Sequence, residues 1–532
     1  MYSKFVKFCS VILTLALLIN LLPMQVLGEE FKALLEQTEN ISSNVVYDNE
    51  LDVPGDATII GESVDKRTEF SKEFKLSNGM NMTAVYPRAV HFENNGKWDE
   101  IDNTLKTVGS GTNTAYTNTA GSWNVRFPQT LTGAKTVSVS KDGYTLSFGM
   151  AGELRLSNPP VIRSGEVANA AATLATGETY SVTAARNSTA QIYHAENALP
   201  LENTQHADTI SRKTDARVSY HNVYSNTNVV YDLLSNELKE SIVIASFSDT
   251  LYGYRYSLNT GDLIPVLNAD NSIDLYDANK RNIIFTMPAP FMVDNAGEYC
   301  SDVDVTLTGN SGTYTLSYLL PVSWLAEDAR SWPVVLDPVI TEHSSQANIQ
   351  DQTVMELQVP DPSTGVLQLG WRQYRGNMRF FMKFNEIPDL TSADVVVHAE
   401  IGLYKAQTSN TTVPVTVHNV LGDWSEDTIT WSNKPDFDTT IEDYYLSKTV
   451  GMHYWDVTDI VRGWSETGNN YGMMFKVVDQ YENLTSNNFR QYYSPDYSAH
   501  PSDYGLYPGL WVTFRNNNGL ESYWDYTASS AG

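Results

Sequence analysis

The sequence predicts an all-β fold, with an N-terminal β-sandwich-like region followed by a β-jelly-roll. Three observations carry that expectation. Apolar residues recur at every second position in short runs, as half-buried strands require. Gly, Asn, Asp and Pro punctuate those runs at close intervals. The 532 residues include 31 Tyr and 11 Trp among many Thr and Val, types that suit a pleated, half-buried surface.

Residues 1–28 read as a secretory signal. Lys4 and Lys7 precede an apolar stretch from Ser10 to Leu22, and Val26-Leu27-Gly28 offers a small-residue exit site. The same features also suit a retained N-terminal anchor. The apolar stretch is short against the roughly 20 residues of a membrane span, so no transmembrane segment is expected after cleavage. Cys9 lies in this leader and Cys300 is the other cysteine, which leaves no intramolecular disulfide in the mature chain. Residues 29–66 read as an acidic flexible linker that buries little apolar surface.

Residues 67–338 form an N-terminal β-rich region of one or two domains. Phe92 to Ile101 reads as a hairpin turning at Asn95-Gly96. Tyr144–Phe148, Leu238–Ile244, Tyr252–Tyr256, Ile283–Met287 and Thr313–Tyr318 read as further strands, while Ala168–Ser188 gives no clear pattern. Trp332-Pro-Val-Val-Leu-Asp-Pro338 closes the region, its two prolines pointing to an edge or terminal strand.

Residues 344–515 are more legible. Met378, Phe380, Met382 and Phe384 alternate, as do Val413, Val415 and Val417, then Met473, Phe475 and Val477, then Leu510, Val512 and Phe514. Ala399–Leu403 continues the pattern, and antiparallel strands of this kind suit a jelly roll. Val457, Ile460, Val461 and Trp464 instead share one helical face, with Asp456 as the expected N-cap. Residues 516–532 read as a tail.

Opposite the apolar positions lie Arg379, Phe381 and Lys383, then Lys476, then Trp511 and Arg515. Cations and aromatics gathered on a sheet face suit a sugar, whose ring stacks on an indole and whose acidic groups pair with Arg. They equally suit guards against edge pairing. Trp424 is expected in a loop as a ligand contact, and Trp431 and Trp464 in the core. The candidate carbohydrate-binding set is therefore Trp424, Arg379, Lys383, Trp511 and Arg515. The aromatic stretch Tyr492 to Tyr507 is either a second platform or a packed loop. No zinc-hydrolase, serine-hydrolase or phosphate-loop motif occurs, so no catalytic residue is assigned. No cofactor is required, although Asp-rich turns allow a structural calcium ion. The net charge of −28 favours solubility and disfavours nucleic acid as a partner.

Arg379–Phe384, Ala399–Tyr404, Trp424–Trp431, Trp455–Val461 and Asn470–Lys476 follow one another in an order that resembles the DNRLRE domain, related to the family-96 carbohydrate-binding modules. The resemblance implies a β-jelly-roll on a secreted bacterial protein, binding acidic polysaccharide such as alginate in some members. Asn94–Asn103, Pro288–Met292 and Trp332–Pro338 resemble the N-terminal region of wall-associated RHS or YD-repeat proteins of Gram-positive bacteria. Asn518–Tyr526 is similar to the segment leading into their repeats, which do not follow here; a truncated gene, a fragment and a split partner all fit. In that family any toxin activity lies beyond the repeats. The expectation is thus a secreted or cell-wall-associated, non-catalytic protein that binds polysaccharide or cell-wall glycan. The alternative is a structural cap or plug for an RHS/YD-repeat shell.

Overall fold

Alternating side chains place two layers of strands face to face in the first half of the chain. The computed structural model describes residues 57–516, apart from 133–134, 157–179, 195–205, 210–212, 236, 343–346, 358–364, 392–393, 485 and 496–505. The leader, most of the acidic linker and the tail lie outside the described residues, as does most of Ala168–Ser188. Everything below belongs to one compact unit, Asp56–Gly532.

One layer of the first sandwich includes the strands Asn124–Pro128, Val137–Lys141, Tyr144–Leu156, Leu251–Asn259 and Thr313–Leu319. The other includes Asp215–Tyr224, Thr227–Leu234, Glu237–Ile244 and Val334–Asp337. Phe127, Phe148, Tyr254 and Leu316 from the first meet Tyr220, Tyr231, Leu238 and Leu336 from the second in one core. The Asn95-Gly96 hairpin forms as expected, with φ of +52° and +76° at the turn and Asn94 paired with Lys97. The strand between Pro333 and Pro338 is not at an edge, because it pairs with Glu237–Ile244 on one side and Phe291–Asp294 on the other. Its four residues fit between the prolines, so neither ring has to supply a missing N–H to the ladder.

The second sandwich has thirteen strands among the described residues. Three come from the N-terminal side: β1 (Ile59–Glu62), β2 (Ser71–Leu76) and β3 (Asn81–Val85). The others are β4 (Ile349–Met355), β5 (Val366–Arg372), β6 (Gly376–Phe384), β7 (Asp394–Lys405), β8 (Val413–Asn419), β9 (Asp443–Ser447), β10 (Gly451–Asp456), β11 (Met473–Val477), β12 (Arg490–Tyr493) and β13 (Gly509–Asn516). One layer runs β1-β2-β3-β13-β7-β12-β5, with β10 beside β7. The other runs β6-β11-β8-β9, with β4 beside β6. β5 passes between them, pairing with β12 through its first half and with β6 through its second.

The strand pairing therefore crosses the sequence division near residue 340. Asn81–Val85 pairs with Leu510–Phe514, residue for residue. Ile59–Glu62, placed by composition in a flexible linker, is a strand because Ser71–Leu76 supplies a partner ladder. Composition reports the burial a segment can achieve alone, not the edge it finds elsewhere.

The alternation read for the second sandwich holds. Phe380, Met382 and Phe384, then Val413, Val415 and Val417, then Met473, Phe475 and Val477, then Leu510 and Val512 all face one core, whereas Met378 and Phe514 are buried outside it. The helix α1 (Thr458–Thr467) buries Ile460, Val461 and Trp464 against it and ends at Gly468, where φ is +73°. Its N-cap position is Val457, not Asp456. Asp456 still helps, since its carboxylate accepts from the Thr458 N–H at 2.9 Å. Glu442 accepts from the Asp459 N–H at 3.0 Å, so an incoming carboxylate serves the helix N-terminus.

Candidate functional site

The strands β4, β6, β11 and β8 present a second face away from the core. On β6 this face carries Arg379, Phe381 and Lys383, as the alternation requires. Phe381 and the neighbouring Met474 of β11 would be apolar surface in water. The segment from Leu421 to Phe437 folds back over them, placing Trp424 and Ile429 on Phe381, Met474 and Val354. An antiparallel bridge between Val420 and Phe437 closes that loop.

Trp424 is consequently only 8% exposed. Its ring meets Phe381 edge-on at 5.8 Å, and its Nε1–H donates to the Tyr471 carbonyl at 2.9 Å. Burial with a satisfied donor is how an indole packs, and it leaves no face for a sugar ring. The loop position was legible from the sequence; the cover it provides was not.

The three strand-borne cations on this face are paired. Arg379 donates through Nε and Nη2 to both oxygens of Glu482, at 2.8 and 2.9 Å, and both side chains are largely buried. Lys476 shares Glu482 at 3.4 Å and also pairs with Asp479. Lys383 meets the exposed Asp423 at 3.1 Å, and that contact holds the Asp423 carboxyl below its ordinary range.

Trp431 is half-buried on this face, as are Phe437 and Tyr471, rather than in the core as expected. The Lys434 ammonium sits 4.2 Å from its ring centre and donates to the Trp431 carbonyl at 2.6 Å. The Arg379 guanidinium lies 5.2 Å from the same ring and 5.4 Å from Phe437. Burial, followed by the Arg379 charge, pulls the Lys434 pKa below its ordinary value. Trp431 and Lys434 share a loop three residues apart, a spacing that sequence reasoning left unused.

Trp511 and Arg515 belong to the opposite layer, on β13, so the five candidates do not form one site. Trp511 is 5% exposed and clusters with Phe74, Leu76, Met82 and Ala84 of the N-terminal strands. His206 stacks on its ring at 4.3 Å, and its Nε1–H donates to Thr209 Oγ1 at 2.8 Å. Gly402 and Gly509 form its floor, where an added Cβ would come within 2.8 and 2.6 Å of the indole. Of the aromatic stretch, Tyr492 is buried and Tyr493 stacks on Tyr404 at 5.0 Å, while 496–505 lie outside the described residues. Among the described residues, no group of three or more His, Cys, Asp or Glu is arranged to hold a metal ion. Nor is any helix among them long and apolar enough to cross a membrane.

Residues 347–494 match the profile of Carbohydrate-binding module family 96. The C-terminal part of the chain is thus a carbohydrate-binding-module-like domain. The chain is 23% identical over 509 residues to the tRNA3(Ser)-specific nuclease WapA of Bacillus spizizenii, covering 88% of this chain and 19% of the relative. It is 25% identical over 295 residues to the tRNA nuclease WapA of Bacillus subtilis strain 168, covering 49% of this chain and 12% of the relative. The N-terminal domain of the Streptococcus gordonii adhesin Sgo0707 aligns over 79% of this chain and 92% of its own, at 9% identity and a TM-score of 0.13, too low to carry an argument.

The chain therefore spans a fifth or less of the curated relatives it matches. Those relatives correct one expectation. A reading of no enzymatic activity followed from the absence of catalytic motifs, but both relatives are named for an enzymatic activity.

Proposed function

We propose that the C-terminal sandwich binds polysaccharide and so holds a larger, nuclease-bearing protein at a glycan-rich surface outside the cell. The profile match over 347–494, on a sandwich whose core is complete, carries this reading. The leader-like N-terminus and the resemblance to wall-associated proteins support the location. The relatives' names support a link to tRNA cleavage.

On the outward face of β6, Trp431 offers a half-buried ring, with Lys434 and Arg379 alongside. Arg379 reaches an acidic sugar only by exchanging Glu482 for it; Lys383 has the exposed Asp423 as its competitor. The test is retention of the full chain on immobilised cell wall, polyuronate, sulfated glycan and neutral glucan. Retention on at least one, weakened about tenfold by Trp431→Ala, is the expected result. Passage through every column unretarded refutes the reading.

A second reading is favoured by the small share of each relative that this chain spans. In it, these residues are the structural cap of an RHS or YD-repeat protein and bind its shell. Co-purification with a separately produced repeat segment, and with no glycan, is the result that selects it.

A further inference from the structure

The hairpin joining β5 to β6 carries an aromatic where a turn normally places glycine. Arg372 pairs with Gly376 across the ladder, and the Arg375 N–H donates to the Arg372 carbonyl at 3.1 Å. Gln373 and Tyr374 are therefore the central residues of the turn, and φ at Tyr374 is +69°. A positive φ at the second central residue marks a type II turn, a position that favours Gly or Asn. A side chain as large as Tyr pays backbone strain there, which persists only where the surroundings hold it.

The surroundings do hold it. The Gln373 N–H donates to Asn487 Oδ1 at 2.9 Å and the Trp371 N–H to Asn488 Oδ1 at 2.6 Å. Asn488 in turn donates to the Tyr481 carbonyl at 2.6 Å, tying the turn to the chain beneath it. Gly376 is spent on packing, since an added Cβ would meet Glu356 and Leu357 carbons at 3.0 Å. Strain at Tyr374 gains no core contact in exchange: the side chain is 83% exposed.

Around this ring the surface suits a sugar. Leu357 is 68% exposed, and its N–H donates to the Arg375 carbonyl, which places it beside the turn. Trp371 is half-buried at the base of the hairpin. The Arg372 guanidinium lies 4.9 Å from the Phe489 ring centre, and no carboxylate pairs with it among the described residues. Arg379 provides the contrast, with its fork already filled by Glu482.

We propose that this hairpin tip is an anionic-polysaccharide contact, with Tyr374 stacking on a sugar ring and Arg372 pairing with its carboxylate, sulfate or phosphate. A planar guanidinium held against an aromatic ring keeps its N–H edge free for a bidentate acidic group. The ladder end at Gly376 stands about 10 Å along β6 from Arg379, at roughly 3.4 Å per residue, and Arg372, paired with Gly376, lies on the Met378 and Phe380 side of that ladder, so the tip is separate from the Arg379 face. The inference rests on the polysaccharide-binding reading and adds to it a site.

Substitution by glycine separates binding from folding, because Tyr374→Gly relieves the backbone strain. Its thermal midpoint should equal or exceed that of the unsubstituted chain. Binding of the full chain is measured against a polyuronate, a sulfated glycan, a phosphate-bearing wall polymer and a neutral glucan. Tyr374→Gly should weaken binding to the preferred anionic polymer about tenfold, and Tyr374→Phe should largely restore it. Arg372→Gln should abolish the preference for that polymer over the neutral glucan and flatten the salt dependence. If the unsubstituted chain binds an anionic polymer and Tyr374→Gly binds it equally well, the tip inference is overturned and the module reading stands. If the unsubstituted chain binds no polymer, both fall.

Discussion

Replacing Trp511 by alanine tests whether the N-terminal strands are part of the second sandwich in energy as well as in geometry. The indole lies where three parts of the chain meet. Ala84 of β3 pairs directly with residue 511, the turn holding His206 and Thr209 lies across the ring, and Gly402 and Gly509 floor it. Truncating a buried Trp to Ala costs about 3–5 kcal/mol when the site collapses only partly. Removing the Nε1 donor from Thr209 Oγ1 adds about 1 kcal/mol. Thr209 has further obligations, donating to the His206 carbonyl and accepting the Tyr86 hydroxyl through its own carbonyl, so the loss spreads along the seam. A total of about 4–6 kcal/mol is a large part of the 5–15 kcal/mol by which domains are usually stable. Urea unfolding followed by far-ultraviolet circular dichroism measures the loss, and hydrogen exchange of the Asn81–Val85 amides locates it. Trp511→Phe, which keeps most of the ring, should cost about half as much. A loss below about 1 kcal/mol with unchanged exchange in β3 would refute the reasoning, because Trp511 would then not hold the strands together.

Further outcomes follow from the same geometry. Gly402→Ala should destabilise by about 1–3 kcal/mol through overpacking, since the new methyl would press on the Trp511 and Tyr454 rings; an unchanged thermal midpoint would show that the rings yield freely. Glu482→Ala should cost about 3 kcal/mol because it leaves Arg379 buried and unpaired, whereas Asp423→Ala should cost under about 1 kcal/mol because Asp423 is 77% exposed; equal costs in urea titrations would contradict that assignment. Burial raises Asp215 and Glu240 to about 7 and Asp337 to about 6, so the folded chain binds more protons than the unfolded one between about pH 4 and 7. Their contribution is fully present below that window and is lost as pH rises through it, by at most about 1.4 kcal/mol per pH unit for each group. Urea midpoints at pH 5.0 and 7.5 check the sign, and Glu240→Gln should flatten the slope; a slope that is the same in both proteins assigns the protons elsewhere.

Period-2 alternation predicted which side chains of β6, β8, β11 and β13 meet in the second core, and all do but Met378 and Phe514, which are buried outside it. It works because one sandwich face is dry along the whole strand. The same rule assigns Arg379, Lys383, Trp511 and Arg515 to outward positions, and stops there. It does not report that Arg379 and Trp511 lie on opposite layers, nor that other segments cover both faces. Trp424 is buried by the fold of its own loop, and Trp511 by strands that precede it by more than 400 residues. Neither cover has a local signature. Tyr374 was passed over for the converse reason: Trp-Arg-Gln-Tyr-Arg-Gly reads as a strand followed by a turn, and only the backbone shows that the tyrosine holds the glycine-like position.

The pairing of β3 with β13 also sets a clock. Val85 leaves the ribosome more than 400 residues before Leu510, its partner across the ladder. At about 5–20 residues per second that is roughly 20–85 s during which Asn81–Val85 has no strand on its far side. Met82 and Ala84 stay wet for the same interval, awaiting Trp511. An edge of that kind invites pairing with a neighbouring chain. Such non-local closure is intrinsically slow, so the first sandwich is free to fold early while the second finishes last. Whatever escorts this chain during synthesis has to guard that strand until the C-terminal one arrives.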